Sequence, residues 1–175
     1  HKLYAPKGIG ALFIRHGLRI EPQIRGAAHE HGRRAGTENV LQAVGLGTAC
    51  ELASNEVEDE SNRLLDLRGH LVDGLRSEIP DLVEHGHPEE RLPNTLSVAF
   101  PGHDASTLID TLAEDLAASA GSACHSGATM ISYVLQAMGV ETEHARATVR
   151  LSVGRFTTEE EIERAIELIL GALSS

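Results

Sequence analysis

Only 2 cysteines occur among the 175 residues. One of them, Cys124, stands in the run Ala120-Gly121-Ser122-Ala123-Cys124-His125-Ser126-Gly127. Small neighbours leave its sulfur reachable, and the two flanking glycines permit backbone motion. A nucleophilic thiol needs such access and a partly ionised state. His125 could supply charge, although adjacent residues seldom point the same way. The other reading is a small buried cysteine in a tight turn, and the local sequence leaves both open.

Three further groups have chemical potential. Lys2, in HKLYAPKG, carries an amine that can form an imine with an aldehyde once burial or a neighbouring cation lowers its pKa; a lysine at such a position is more often merely solvated. In RRAGTEN (33–39), two arginines, a glycine and Thr37 at a helix start make an anion site, since first-turn amides, a hydroxyl and the helix dipole all favour phosphate. An ordinary N-cap with exposed arginines is the simpler account. Arg150 interrupts the apolar run ATVRLSVG, where it either faces water or clamps a carboxylate through two parallel hydrogen bonds. His29, His31 and His125 do not match the ligand spacing of a closed zinc site, so no metal is expected.

These residues need elements to hold them. GIGALFIR (8–15) reads as a strand and 16–37 as a long loop. A helix is expected over 38–55 with Thr37 as its cap, and Cys50 inside it as a packed small hydrophobe. A second, amphipathic helix over 56–79 puts Leu64, Leu65, Leu67, Leu71, Val72 and Leu75 on one stripe. A brief strand and a turn fill 80–94. Strands follow at 95–102, 116–121 and 148–155. Helices are read at 103–114 behind an Asp cap, at 130–139 up to a glycine, and at 157–173 behind Thr157 or Thr158 with glutamates in the first turn.

Bulk properties narrow the classes. A 41% apolar content supports a buried core at this length. No apolar run in these residues is long enough to span a bilayer, and none of them is expected to act as a secretory signal. Two cysteines make no disulfide framework, which points to a reducing, cytoplasmic setting. A net charge of −11 argues against a nucleic-acid surface. Lys2 and Lys7 are the only lysines among 15 basic residues. The chain opens on His1, within what reads as a loop feeding a strand, and is expected to be a fragment.

Taken in order, HKLYAPKGIGALFIR, RRAGTENV, RLPNTLSVAFPG, AGSACHSG and TVRLSVGRFTTEEEI resemble the cysteine desulfurases, class V aminotransferase-like enzymes that use pyridoxal 5'-phosphate (PLP). The resemblance covers residues 1–173, and five motifs in one order are far more specific than any single one. It implies an α/β fold of the PLP-dependent transferase fold type I. Residues 1–55 would be the tail of the large PLP-binding domain and 56–175 the small C-terminal α+β domain. It further implies that Lys2 carries PLP, that His1 and Thr37 contact the cofactor phosphate (Thr37 that of the neighbouring subunit), and that Cys124 accepts sulfur as a persulfide. Arg150 would bind the substrate carboxylate, with Asn94 near the substrate. His29 stands where relatives have glutamine, and His125 where threonine or serine is common.

The resemblance implies a cytoplasmic homodimer that converts L-cysteine to L-alanine and hands sulfur to an acceptor protein such as an iron–sulfur scaffold, without nucleic acid or membrane. It also implies that further cofactor contacts come from residues outside these 175, so little or no activity is expected from them alone. Selenocysteine lyases look similar. A class V aminotransferase would need no nucleophilic cysteine. A truncated, non-catalytic interaction module would have no reason to keep Lys2, Thr37, Cys124 and Arg150 together.

Overall fold

The computed structural model describes residues 1–125 and 128–174, with 122–125 and 128–130 described as backbone only. It divides into two compact units, His1–Glu58 and Asp59–Ser175.

The first unit is mostly irregular. A single 3-10 turn, Glu30–Gly32, precedes helix α1, Val40–Glu78. The strand expected at 8–15 does not form, and Leu12 and Phe13 are 75% and 91% exposed. An apolar run becomes a strand only when another strand pairs with it, and the described residues of this unit contain none. The loop expected over 16–37 is present, apart from the 3-10 turn. Tyr4, Glu30 and His31 hold positive φ angles of 65°, 50° and 57°, a conformation that costs side-chain-bearing residues energy.

The two helices expected over 38–55 and 56–79 are one helix of 39 residues that runs across the boundary between the units. The junction Ser54-Asn55-Glu56-Val57-Glu58 contains neither glycine nor proline, so nothing stops propagation; its acidic residues are a solvated face. The helix starts at Val40, and Asn39 rather than Thr37 serves its first turn: Asn39 Oδ1 accepts from Gln42 N–H at 3.4 Å. Cys50 is an exposed thiol, not a packed one. The helix around it leaves Val40, Leu41, Val44 and Leu52 exposed as well.

The second unit is an antiparallel sheet covered on one face by helices. The strands are β1 (Val83–Glu84), β2 (Thr95–Ala99), β3 (Ser119–Ala120) and β6 (Thr148–Ser152), in the order β1-β2-β6-β3. A separate hairpin pairs β4 (Ser122–His125) with β5 (Ala128–Ile131). The helices are α2 (Ala105–Leu112), α3 (Tyr133–Ala137), α4 (Thr142–Arg146) and α5 (Glu159–Leu173). α4 had no counterpart in the sequence reading, and α3 starts three residues later than read.

Register sorts the residues of β2 and β6 by face. Leu96 pairs with Leu151 and Val98 with Val149; all four are buried. They meet Leu67, Leu71, Val72 and Leu75 of α1, Leu108 and Leu112 of α2, and Ile162 and Ile169 of α5 in one core. Each such side chain contributes roughly 1.5–3 kcal/mol when fully buried. Of the stripe read on α1, Leu64 packs at the edge of this core and Leu65 stays 46% exposed. Gly74 lets α1 and α5 approach: a Cβ there would lie 2.5 Å from Ile166 Cδ1.

Local chemistry fixes the helix starts. Asp104 Oδ1 accepts from the backbone N–H groups of Ser106 and Thr107 at 3.0 and 3.1 Å. Thr158 and Glu161 form a reciprocal capping box on α5. Arg63 of α1 donates to Glu60 and to the backbone oxygens of Gly154, Arg155 and Thr157, tying down the loop that follows β6. Among the described residues, no helix is long and apolar enough to cross a membrane.

Candidate active site

The outer face of the sheet is built by the same alternation that buries its inner face. Across from Leu96, Val98, Val149 and Leu151 come Thr95, Ser97, Thr148, Arg150 and Ser152. Arg150 pairs with Ser97 on one side and with Ser119 on the other. His85 joins this row from beyond β1, its N–H donating to Ser97 O at 2.8 Å. The floor is therefore a line of hydroxyls with one guanidinium. That guanidinium is exposed and donates to Ser119 Oγ at 3.4 Å. No ion pair to it is present among the described residues.

Above this floor lies a cleft of about 340 Å3, lined by Arg150, His85, Ser97 and Thr148 from the polar side and by Val134, Leu135 and Met138 from α3 and its end. Arg91 borders it and donates to the Glu84 carboxylate and to His85 O. A cation on a polar floor beside an apolar wall can hold a small carboxylate with an apolar or thiol side chain.

Cys124 lies on β4, paired with Thr129 of β5. The reading of 120–127 as a loop is corrected to this extent: residues 122–125 have strand backbone, because 128–131 supply a pairing partner. The side chain of Cys124, and Ser126 and Gly127 altogether, lie outside the described residues. Asn94 does not line the Arg150 cleft. Its backbone oxygen accepts from Val153 N–H at 3.0 Å, and its Oδ1 accepts from Thr95 Oγ1 at 3.2 Å.

The other sequence-derived candidates belong to the first unit. His1 and Lys2 are exposed, and His1 O accepts from Tyr4 N–H at 2.9 Å in a turn that presents Lys2. Thr37 is exposed, and its backbone oxygen accepts from Arg34 Nη1 at 3.3 Å. His29 Nδ1 meets Glu38 Oε1 at 2.9 Å, and this hydrogen bond holds the Glu38 carboxyl below its ordinary pKa. Arg33 and Arg34 line an open cavity of about 620 Å3 with Glu30, Asn39, residues 8–12 and Ile14. Among the described residues, no three His, Cys, Asp or Glu side chains converge on a point that could hold a metal.

PLP needs an amine for its aldehyde and donors for its phosphate. The amine of Lys2, the imidazole of His1, the hydroxyl of Thr37 and the guanidiniums of Arg33 and Arg34 match those two ends in chemistry. The residues the sequence did not single out are His85, Ser97 and Thr148. Among the described residues, His85 and Thr148 are the two buried polar side chains. The signal for Ser97 and Thr148 in the sequence was a polar residue at alternate positions of short strands; His85 stands just past the end of β1.

The class-V aminotransferase family matches residues 1–165. Among curated relatives, a cysteine desulfurase IscS of Klebsiella pneumoniae is 47% identical over 171 residues, spanning 97% of this chain and 42% of the relative. One from an Enterobacter strain is 45% identical over 175 residues, spanning 99% and 43%. Among solved structures, a NifS-like protein superposes with a TM-score of 0.88 at 36% identity, covering 99% of this chain and 44% of that one. A NifS-like protein from Rickettsia africae gives 0.77 at 30% identity, covering 90% and 41%. The chain thus spans less than half the length of these relatives, and over that span it belongs to the class-V aminotransferase family.

Proposed function

We propose that this chain is the part of a PLP-dependent cysteine desulfurase that carries the cofactor lysine, the sulfur-accepting cysteine and the arginine for the substrate carboxylate. The reaction takes sulfur from L-cysteine, releases L-alanine and leaves a persulfide on Cys124 for an acceptor protein such as an iron–sulfur scaffold. The observation that carries this reading is Arg150: an exposed guanidinium without an ion-pair partner among the described residues, on a hydroxyl-lined floor. The names of the relatives favour L-cysteine over selenocysteine as substrate. A class V aminotransferase would gain nothing from Cys124, and a mere interaction module would gain nothing from an unpaired Arg150.

Each residue then has a task. Arg150 binds the substrate carboxylate through its planar fork. PLP, when bound, supplies an electron sink for the substrate carbons. Lys2 would hold the cofactor through Nζ, and its amine would move the Cα proton. His1 and Thr37 hold the phosphate, with Thr37 serving the partner subunit of a homodimer. Cys124 Sγ, as thiolate, bonds to the substrate sulfur while the substrate Cβ–S bond breaks. The bonding pair stays with carbon, and protons delivered to Cβ and Cα complete L-alanine. Asn94 supports the substrate side through backbone and Thr95 contacts rather than by facing the cleft. In this reading residues 1–55 complete a large domain, 56–175 form the small one, and the enzyme works in the cytoplasm.

The test uses the PLP-loaded full-length protein with L-cysteine and a thiol reductant. Equal yields of L-alanine and sulfide are expected, both lost in Cys124→Ala while the cofactor absorbance remains. Alanine production that survives Cys124→Ala would remove the desulfurase reading and favour aminotransferase-type chemistry.

A further inference from the structure

We infer that His85 is a positioning residue that, through Thr148, sets both Arg150 and the base of the hairpin carrying Cys124. The inference rests on the proposed function for its catalytic meaning, but not for its geometry. His85 is 8% exposed and Thr148 is 1% exposed, at the floor of the Arg150 cleft. Thr148 Oγ1 donates its only proton to His144 O at 2.6 Å. The contact of 3.0 Å between His85 Nε2 and Thr148 Oγ1 therefore has the imidazole as donor, which fixes the Nε2–H form. Burial, and next the charge of His144, push the His85 pKa down, which favours the neutral ring. Arg91 holds the backbone of His85 from the other side.

Thr148 connects this pair to both functional groups. Arg150 stands two residues along β6 on the same face. The Thr148 backbone oxygen accepts from Gly121 N–H at 2.7 Å, and Gly121 O accepts from Ser132 N–H at 2.8 Å. Gly121 and Ser132 are the residues immediately outside the pair Ser122 and Ile131, which opens the β4–β5 hairpin. The approach is tight enough to exclude a side chain: a Cβ on Gly121 would lie 2.7 Å from Leu135 Cδ1 and 2.9 Å from Thr148 Cβ. Thr148 Cγ2, placed by the rotamer that His85 and His144 hold, would lie 3.1 Å from a Cβ on Gly121, so the rotamer shapes the wall against which the hairpin base rests.

The test compares His85→Leu, His85→Gln and Thr148→Val in the PLP-loaded full-length protein. Two quantities are read: the KM and kcat for L-cysteine, and the alkylation rate of Cys124 with iodoacetamide, followed by mass spectrometry of its peptide. His85→Leu and Thr148→Val are each expected to raise KM about fivefold, the size of one neutral hydrogen bond, and to change the Cys124 alkylation rate by a similar factor while that of Cys50 is unchanged. His85→Gln, whose amide can donate to Thr148, should restore both. Unchanged KM and alkylation in Thr148→Val overturn the inference, and so does a His85→Gln variant as impaired as His85→Leu in both readouts. Failure of the wild-type protein to turn over L-cysteine would count against the proposed function alone, because the alkylation rates still judge the positioning.

Discussion

Arg150 and His85 sit in one row of the sheet, one exposed and one buried, and their consequences differ accordingly. Arg150 loses little when removed from the fold, because an exposed side chain with one long contact contributes within about 0.5 kcal/mol. It loses much when removed from a carboxylate, where a charge-assisted pair is worth roughly 1.5–3 kcal/mol. Arg150→Leu should therefore leave the thermal midpoint nearly unchanged and raise KM for L-cysteine about 10- to 100-fold. A large loss of stability with unchanged KM would assign Arg150 to the fold. His85 bears on stability through pH. Its folded pKa lies below the ordinary value of 6.5, so between the two the unfolded chain binds more protons. Stability is complete above the ordinary value and falls as pH drops from there toward the folded pKa. Thermal melts at falling pH should show this loss in the wild type and a smaller one in His85→Gln. Arg150 was legible as a charge in an apolar run, with two meanings. The alternation along β6 chose its face. His85 was not legible, because β1 spans only two residues and the imidazole stands just past its end.

Among the elements, the starts of α2 and α5 were read closely, whereas the start of α1 and its continuity were not. Asp104 and the Thr158 capping box follow from short-range chemistry that the sequence states directly. Thr158→Ala should cost about 1 kcal/mol in urea unfolding, and no loss would mean that another group takes over the cap. The single helix α1 differs from the two helices expected over 38–55 and 56–79, because the junction carries no glycine or proline and charge alone does not end a helix. The strand at 8–15 was misread because pairing is a tertiary event that an apolar run cannot announce. Arg63 ties α1 to the loop after β6. One guanidinium reaches Glu60 and three carbonyls, at 2.9 Å to Thr157, 3.0 Å to Gly154 and 3.1 Å to Arg155. A lysine has one nitrogen and cannot reproduce this fork. Arg63→Lys should therefore destabilise by about 1–2 kcal/mol in the same unfolding assay, and a neutral result would show that water serves these carbonyls equally well.

At the scale of the molecule, the described residues fall into two units, the first containing Lys2, His1 and Thr37 and the second Cys124 and Arg150. The chain's relatives are more than twice as long. The family was legible in the sequence because five short motifs occur in one order, each tied to a chemical need. The sheet's polar floor was not, because it depends on the register of strands far apart in the chain. The most direct measurement is mass spectrometry of the PLP-loaded full-length protein after brief exposure to L-cysteine without reductant. The account predicts one added sulfur atom on the peptide containing Cys124, none on that containing Cys50, and loss of the addition in Arg150→Leu at low substrate. L-alanine formed without any sulfur on Cys124, or sulfur carried by Cys50 instead, would contradict it.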